Sequence, residues 1–291
     1  MNAARVVCVG DLMVDVCAQL PAELARGSDT PAPIALSPGG SAANTAAWLA
    51  AAGCAATFVG RVGNDALGRQ AIADLQAVGV VVRADVDAAL PTGMCIVLVA
   101  PGGERSMIPS AGANARGGEP LTAAELADAW LHVSGYALFH DDARSAALAT
   151  LRTARAAGRP VSVDAASAAP LRNYGPHRFL DDLGPCLLFA NRDEAAVLAG
   201  TDDPEGAVRS LGLRCGEAIV KLGVDGACWS DGREVVRVAG HDVAVVDSTG
   251  AGDAFAAGVL AARRAGTAIG AALTAGHALA ARVVVRPGAR P

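Results

Sequence analysis

The sequence has no apolar stretch of membrane-spanning length. Hydrophobic residues make up 52% of its 291 residues, but alanine supplies much of that fraction, and Gly, Asp or Arg interrupts the longest apolar runs. A helix that crosses a bilayer needs about 20 consecutive apolar residues. The N-terminus also lacks the apolar stretch and small-residue cleavage site of a secretory signal. We therefore predict a cytoplasmic protein that does not associate with membranes.

Metal-binding cysteine pairs and clusters of positive charge are also missing. The seven cysteines form no CxxC pair and have no histidine at ligand spacing, so we expect free, buried thiols. The net charge is −5, the arginines are scattered, and Lys221 is the single lysine. Because binding to a nucleic-acid backbone needs clustered positive charge, no nucleic-acid partner is expected. Small-molecule chemistry is the better expectation.

Strand-like and helix-like segments alternate along most of the chain. The first apolar run, Arg5 to Gly10, is typical of a buried parallel strand that ends in polar residues. The alternation predicts an α/β fold in which helical crossovers join parallel strands. Strands are expected over 132–139, 160–165, 186–191 and 217–223. Helices are expected over 66–78, 123–130, 144–157, 176–183, 192–199 and 268–282.

Two segments interrupt this alternation. The region 18–37 is rich in Pro, Ala, Asp and Ser and has no helical periodicity. The run 92–114 resembles two strands around Pro101-Gly102-Gly103, which predicts a β-hairpin. We interpret both segments as additions to the core, and the hairpin as part of an inserted sheet.

The sequence DSTGAGDAF at 247–255 predicts an anion-binding turn at the start of a helix. The small residues at 250–252 would leave N–H groups uncovered at the helix N-terminus, where unpaired donors and the helix dipole attract a negative group. Asp253 lies in the same turn, where its carboxylate could accept a proton from an attacking hydroxyl group. The alternative is an ordinary N-capping Asp in a glycine-rich turn.

Two long motifs resemble the two signatures of the ribokinase, or phosphofructokinase-B, family of carbohydrate kinases, and they occur along the chain in the family's order. DSTGAGDAFAAG at 247–258 is similar to the second signature, and GGSAANTAAWLAAAG at 39–53 followed by GRVGNDALG at 60–68 is similar to the first. The resemblance implies an α/β, three-layer ribokinase-like fold, with a central, mostly parallel sheet flanked by helices and a small β-sheet lid. It implies a single domain over 1–291, with the lid formed by segments about 12–37 and 90–112.

The same resemblance implies an ATP-dependent phosphotransferase that moves the γ-phosphoryl group of ATP onto a hydroxyl of a small sugar. Asp253 would be the general base in this reaction. Asp11 would support the sugar-binding loop rather than contact the substrate. The backbone amides of Gly250, Ala251 and Gly252 would stabilise charge on the transferring group. The family's sugar-binding positions correspond to Asp15, Gly39, Gly40 and Asn44.

A nucleotide and metal site is implied as well. Asn191 and Glu194 match the family's NxxE motif, in which Glu194 would hold Mg²⁺ through water; a plain helix start capped by Asn191 is the alternative. His277 lies on the helix that lines the adenine pocket in relatives, although a packing role is the alternative. The residues expected to contact ATP are Asn191, Lys221, Gly223, Gly226 and His277.

Two further comparisons with the family concern ions and subgroups. Asp247 and Thr249 match the residues with which some relatives hold a monovalent cation, which leaves activation by K⁺ open. Many sugar-acid and fructose kinases of the family carry a DPNxR segment, where this chain has Asp164-Ala-Ala-Ser. The substrate contacts of that subgroup therefore do not transfer to this chain.

The lid segments contain no aromatic residue. Because a nucleoside kinase benefits from side chains that stack on the base, this absence favours a sugar. We rank ribose or a similar pentose first, 2-keto-3-deoxy sugar acids second and nucleosides third. Arg105 could reach an anionic substrate, but an exposed position on the lid is the main expectation.

The strand from Met94 to Val99 is apolar on both faces, which predicts a homodimer through the lid. Two other functional classes were weighed. A dehydrogenase would have its glycine-rich turn after the first strand, whereas here that turn lies near the C-terminus. A non-catalytic sugar-binding regulator on the same fold is the other alternative, and it would most simply lack the base or the anion hole.

Overall fold

A nine-stranded sheet forms the centre of the protein. The structure is a computed structural model, and it describes residues 5–101, 105–241, 243–286 and 288–291. Seven neighbouring strands are parallel, and the last two form an antiparallel hairpin at one edge, so the predicted mostly parallel sheet is confirmed. In sheet order the strands are β13 (Val235–Val238), β12 (Ala227–Ser230), β11 (Gly216–Lys221), β10 (Cys186–Asn191), β9 (Val161–Asp164), β8 (Ala129–Ser134), β1 (Arg5–Val9), β4 (Ala56–Gly63) and β5 (Val81–Asp87).

Helices cover both faces of this sheet and give the three predicted layers. Alternate residues of a strand enter opposite layers; in β1, Val6 and Cys8 pack on one face and Val7 and Val9 on the other. The first face is covered by α1 (Ser41–Ala51), α2 (Ala66–Ala77), α8 (Ala251–Arg264) and α9 (Ile269–Val284). The second is covered by α3 (Asp141–Ala156), α4 (Ala168–Tyr174), α5 (Pro176–Leu183), α6 (Arg192–Ala199) and α7 (Pro204–Cys215). Across the described residues, no helix combines the length and apolar character needed to cross a bilayer.

Two segments outside the central sheet build a second, four-stranded sheet, which we call the lid. Its strands are, in order, β3 (Ile34–Gly39), β2 (Met13–Gln19), β6 (Gly93–Val99) and β7 (Arg105–Ser110). β6 and β7 pair antiparallel, as expected of the predicted hairpin. Two residues of the hairpin turn, Gly102 and Gly103, lie outside the described residues.

The helix predicted over 123–130 is wrong. Residues 123–128 form turns, and β8 begins at Ala129. Asp128 adopts a left-handed φ of 51°, which ends the turns before the strand. Trp130 then pairs with Val6 of β1 in the central sheet. Pairing in the sheet therefore outweighs the local helical pattern of this segment.

Candidate active site

The carboxyl ends of the parallel strands open into a cleft of about 1040 Å³, and the lid bounds one side of it. β9, β10 and β11 end side by side and place Asp164, Asn191 and Lys221 at the cleft. Open α/β sheets bind their ligands at this end of the strands. The inner face of the lid contributes Met13, Asp15, Cys95, Arg105, Met107 and Pro109. The cleft is therefore the candidate active site.

Asp253, in the first turn of α8, accepts two hydrogen bonds from side chains at the start of α1. Ser41 Oγ donates to its Oδ1 at 2.8 Å, and Asn44 Nδ2 donates to its Oδ2 at 3.0 Å. The start of α1 is held in turn by Asp11, whose Oδ2 accepts a hydrogen bond from the N–H of Ser41 at 2.9 Å. The two sequence motifs thus meet at one carboxylate, and Asp11 supports the turn that reaches it.

The environment of Asp253 disfavours its charged form and brings its pKa close to neutral pH. Burial raises the pKa of Asp253 to about 7, and the carboxylate of Asp164 acts in the same direction. Hydrogen bonds from Asn44 and Ser41 and the charge of Lys221 oppose this rise without cancelling it. A base is most effective when its pKa lies near the working pH. The Asp253 carboxylate is therefore suited to accept a proton from a hydroxyl group.

The turn before α8 leaves backbone donors next to this carboxylate. Gly250 starts the helix with a φ of 77°, a conformation that favours glycine. The N–H of Ala251 donates to the carbonyl oxygen of Ser248 at 3.2 Å. For the N–H groups of Gly252 and Asp253, by contrast, the described part of the chain provides no acceptor. The N–H of Gly250 likewise has no acceptor among the described residues, so the free donors of this turn are those of Gly250, Gly252 and Asp253. The contact of Ala251 with an anion stays a prediction.

Lys221 brings a positive charge to the same place. Its Nζ lies 2.8 Å from Asp164 Oδ2, and a Cβ added to Gly252 would lie 3.1 Å from that Nζ. Burial opposes the charged form of Lys221, but the carboxylates of Asp164 and Glu194 outweigh it and raise the pKa of Lys221. The ammonium group is therefore charged at neutral pH, and it can attract a phosphate group beside the anion hole.

Asn191 and Glu194 form a capping box at the start of α6. Asn191 Oδ1 accepts a hydrogen bond from the N–H of Glu194 at 2.9 Å, and Glu194 Oε2 accepts one from the N–H of Asn191 at 2.7 Å. Both side chains also line the cleft. Glu194 is 3% exposed, and burial raises its pKa to about 7. Asn191 and Glu194 therefore cap α6, as the alternative from the sequence proposed, and also line the cleft.

The acidic end of the cleft fits a magnesium ion held through water. Within residues 5–101, 105–241, 243–286 and 288–291, no group of three or more His, Cys, Asp or Glu side chains could hold a metal ion. Mg²⁺ keeps several waters and needs few protein ligands when phosphate oxygens complete its shell. Asp164, Asp193 and Glu194 line this end of the cleft beside Lys221. The excess of carboxylates suits a hydrated divalent cation.

The residues expected to bind sugar lie where the lid meets α1. Asp15 on β2 is 7% exposed and lines the cleft, and burial, followed by the charge of Asp11, raises its pKa to about 6. A Cβ at Gly39 would lie 2.3 Å from Oδ1 of Asp15. Gly40 has a φ of 96°, and a Cβ there would lie 2.5 Å from the carbonyl oxygen of Asp11. The two glycines therefore allow the lid, β1 and α1 to approach closely.

The other end of the cleft is apolar and contains two histidines. His277 on α9 is 7% exposed and contacts Phe255 edge to face, with ring centroids 5.0 Å apart. His241 lies 6.2 Å from it, and burial lowers the pKa of His277. In the described part of the chain, His277 Nε2 has no hydrogen-bond partner. Apolar walls are formed by Val243, Val245, Ala280 and Val284.

The two glycines expected at the nucleotide border this apolar end, but they differ in what requires them. Gly223 has a φ of 62°, and a Cβ there would meet nothing within 4 Å. Gly226 has a φ of 99°, and a Cβ there would lie 1.9 Å from the carbonyl oxygen of Val238 on β13. The packing of two strands therefore already requires glycine at 226, whatever its role toward a ligand.

The expectation of an exposed lid arginine at position 105 is wrong. The Arg105 side chain is 18% exposed and turns inward, with Nη2 2.8 Å from Asp247 Oδ1 and Nη1 donating to Ser248 Oγ at 3.1 Å. Asp247 Oδ1 also accepts from the N–H of Thr249 at 2.7 Å, and its Oδ2 accepts from the N–H of Gly288 at 3.1 Å. The ion pair connects the lid to the loop before α8.

Four residues that line or contact this site were not identified as site residues from the sequence: Ser41, Asp164, Tyr136 and Arg290. Ser41 follows two glycines at a helix start, and Asp164 lies near the end of the strand predicted over 160–165, so both carried a weak signal. Tyr136 follows β8, and its ring lines the cleft. Arg290 gave no signal, because its hydrogen bond to Asn44 joins residues 246 positions apart.

Comparison with known proteins agrees with this arrangement. The profile of the pfkB family of carbohydrate kinases matches residues 3–291. The chain belongs to the pfkB family. A fructokinase of Klebsiella pneumoniae is 32% identical over 243 residues, which cover 77% of this chain and 76% of that protein. The crystal structure of a “probable sugar kinase protein” from Rhizobium etli CFN 42 has a TM-score of 0.90 and 31% identity, covering 100% of this chain and 96% of the other.

A second similar solved structure is named as a nucleoside kinase rather than a sugar kinase. The adenosine kinase from Sinorhizobium meliloti has a TM-score of 0.86 and 29% identity, covering 100% of this chain and 96% of that one. The pfkB-family chain is therefore an ATP-dependent carbohydrate kinase whose relatives act on sugars or on a nucleoside.

The pH dependence of turnover tests the role of Asp253 in this pfkB-family kinase. Because the base must be deprotonated and its pKa is about 7, kcat/KM should rise with pH through that value and level off above it. Ser41→Ala removes a donor to the carboxylate, so it should raise the pKa and move the rise to higher pH. A profile that is flat through this range in the wild type would contradict the assignment.

Proposed function

We propose that this kinase transfers the γ-phosphoryl group of ATP to a hydroxyl of ribose or a similar pentose. One observation carries the proposal. The Asp253 carboxylate accepts a hydrogen bond from Asn44, lines the same cleft as Asp15, and belongs to the turn whose N–H groups have no acceptor among the described residues. A phosphoryl group held by the amides would then face a sugar hydroxyl held near the base. In-line phosphoryl transfer needs the acceptor hydroxyl, its base and the transferring group to be held close together.

The residues around Asp253 would divide proton transfer and charge stabilisation between them in this reaction. Asp253 accepts the hydroxyl proton as the sugar oxygen bonds to the γ-phosphorus and the bond from that phosphorus to the β,γ-bridging oxygen breaks, which releases ADP. The N–H groups of Gly252 and Asp253 and the ammonium group of Lys221 stabilise the charge on the transferring group. Glu194 and Asn191 would hold Mg²⁺ through water, and the ion would supply positive charge that offsets the negative charge of the phosphates.

Both substrates would sit between these groups and the walls of the cleft. The Asp15 carboxylate would accept hydrogen bonds from neighbouring sugar hydroxyls, with Gly39 and Gly40 allowing a close approach. The adenine ring of ATP would lie in the apolar end, bordered by Gly223 and Gly226. There, His277 Nε2 has no hydrogen-bond partner among the described residues. The lid would exclude water while it covers the sugar, which limits wasteful hydrolysis of ATP.

A nucleoside acceptor is a second candidate, and the position of Tyr136 favours it. Although the lid has no aromatic residue, Tyr136 and Phe139 line the same cleft from the segment after β8, and Tyr136 is 37% exposed. An aromatic ring at the cleft can stack on a base. A sugar acid gains less support, because the Arg105 guanidinium is already engaged by Asp247 and Ser248. A non-catalytic regulator remains the alternative of a different class.

An ADP-release assay with MgATP across pentoses, hexoses, 2-keto-3-deoxy sugar acids and nucleosides tests the substrate. We expect the highest kcat/KM for ribose or a related pentose, with a blank lacking acceptor to correct for hydrolysis of ATP. Tyr136→Ala should then spare pentose turnover. A nucleoside preference that Tyr136→Ala abolishes would replace the pentose assignment, and binding without turnover of any acceptor would favour the regulator.

We propose that potassium is not required, because Arg105 supplies the positive charge at the predicted cation site. The Asp247 carboxylate is engaged by the N–H groups of Thr249 and Gly288 as well as by Arg105. Burial opposes its charged form, but these hydrogen bonds and the guanidinium outweigh burial and lower the pKa of Asp247. To bind at Asp247 Oδ1, a monovalent cation would have to displace the Arg105 guanidinium from that oxygen.

Turnover measured in potassium chloride and in tetramethylammonium chloride tests this proposal. The wild type should be equally active in both salts, and Arg105→Ala should become dependent on potassium as Asp247 is freed. Arg83→Ala serves as the control, because Arg83 pairs with Glu125 at the sheet edge. Strong activation of the wild type by potassium would refute the proposal.

We also propose a homodimer through the outer face of the lid. One row of apolar side chains crosses all four strands in register: Leu36, Val16, Ile96 and Ile108. Leu36, Ile96 and Ile108 are 63%, 45% and 56% exposed. A continuous apolar row this exposed marks an interaction surface, and a second copy of the lid offers a matching one.

Sedimentation equilibrium tests the dimer. The wild type should have twice the mass of one chain, and Ile96→Asp should be monomeric because a charge in the apolar row is not tolerated at a buried interface. Leu213→Asp, on the exposed side of α7, is the matched control and should stay dimeric. A monomeric wild type at micromolar concentration would rule the lid interface out.

A further inference from the structure

The last described residues of the chain pass directly behind the active site. Trp48 Nε1 on α1 donates to the carbonyl oxygen of Ala289 at 2.8 Å, and both residues are almost fully buried. A Cβ at Gly250 would lie 2.6 Å from the same carbonyl oxygen. The N–H of Gly288 donates to Asp247. The tail is therefore fixed against α1 and against the loop that carries the anion hole.

Arg290 extends from this tail into the gap between β3 and α1. Its Nε donates to Asn44 Oδ1 at 2.9 Å, and its Nη2 donates to the carbonyl oxygen of Gly39 at 2.8 Å. Burial lowers the pKa of Arg290 to about 10, which leaves the guanidinium charged at neutral pH. One side chain thus contacts two of the positions expected to bind the sugar.

The contact with Arg290 determines which way the Asn44 amide faces. A guanidinium group only donates hydrogen bonds, and an ionised carboxylate only accepts them. With Oδ1 toward Arg290, the Nδ2 group of Asn44 faces Asp253 Oδ2 at 3.0 Å. A flipped amide would place its NH₂ group against the guanidinium and its oxygen against the carboxylate. Both contacts would be repulsive.

We propose that Arg290 is a positioning residue that locks the Asn44 amide so that Asp253 keeps its hydrogen-bond donor. The inference rests on the proposed role of Asp253 as the base. Without Arg290, the Asn44 amide would be free to rotate, and the carboxylate would lose a bond that stabilises its charged form. Loss of the nearby cation acts in the same direction. The pKa of Asp253 would therefore rise, and the base would be protonated at higher pH.

Several other groups face Asp253 and remain in place when Arg290 is replaced. Ser41 still donates from α1, and Lys221 on β11 still attracts the carboxylate. The other charged or titratable groups near Asp253 also remain. The charged or titratable groups around Asp253 are Asp164, Lys221, Glu194, Asp11, Asp15, Tyr136, Cys8 and Arg290.

The test measures kcat/KM against pH, and the infrared carboxyl band of Asp253 against pH, for Arg290→Gln and Arg290→Lys. Arg290→Gln should move both acidic transitions to higher pH while the plateau at high pH recovers toward that of the wild type. Arg290→Lys keeps the charge and should shift less. Arg282→Gln is the matched control, because Arg282 lies over the Trp48 ring at 5.5 Å and, within the described part of the chain, donates no hydrogen bond to the site. Thermal unfolding of each variant reports any loss of folding.

A double-mutant cycle separates action through Asn44 from a direct effect of charge. In an Asn44→Ala background, Arg290→Gln should add little further shift, because the group it positions is gone. An equal shift with and without Asn44, or no shift at all, would overturn the proposal. The infrared titration needs no substrate, so it decides this point even if no acceptor is phosphorylated. Absence of turnover in the wild type would count against the proposed function alone.

Discussion

The carboxylate of Asp253 connects parts of the chain that are more than 200 residues apart. Its two oxygens accept hydrogen bonds from Ser41 and Asn44, which lie 212 and 209 positions away. These bonds form only if α1 begins where Gly40 turns beside Asp11 and if α8 begins at Gly250. The C-terminal tail contacts both sides of this meeting point, through Ala289 beside Gly250 and through Arg290 at Asn44.

The charges in the cleft explain why so many acidic groups can share it. Lys221 forms an ion pair with Asp164, and Arg105 forms one with Asp247. Arg290 lies behind the cleft wall, where it donates to Asn44. Two further carboxylates of the cleft lie on different elements, Asp15 on the lid strand β2 and Glu194 at the start of α6. In the proposed function, Asp15 would bind sugar hydroxyls and Glu194 a hydrated cation. A nucleotide that brings its own divalent cation would therefore complete the balance of charge rather than disturb it.

Much of the fold could be predicted from the sequence, because local patterns carry it. The alternation of strands and helices and the two long motifs give the central sheet and the three layers. Prediction failed where tertiary pairing decides the outcome, as at Trp130, which lies in a strand where a helix was expected. α7 was not anticipated for a similar reason: its buried residues, such as Leu211 and Cys215, gain their role only by packing on the sheet.

The residues of the site divide in the same way. Gly250, Ala251, Gly252 and Asp253 are contiguous, so an anion-binding turn with a carboxylate beside it could be predicted from the local sequence. Arg105 and Arg290 could not be placed, because their partners are distant in sequence and nothing local distinguishes them from other arginines. The inward turn of Arg105 became apparent only with the ion pair to Asp247.

The most direct test of the account compares binding and turnover in Asp253→Asn. Calorimetry would give the affinities for MgATP and for the best acceptor, and rapid quench would give the rate of phosphoryl transfer. We predict that transfer slows by about 10²–10⁴-fold, as expected for loss of a general base, while both affinities change little. Transfer at the wild-type rate, or loss of transfer explained entirely by lost binding, would contradict the claim that Asp253 is the base.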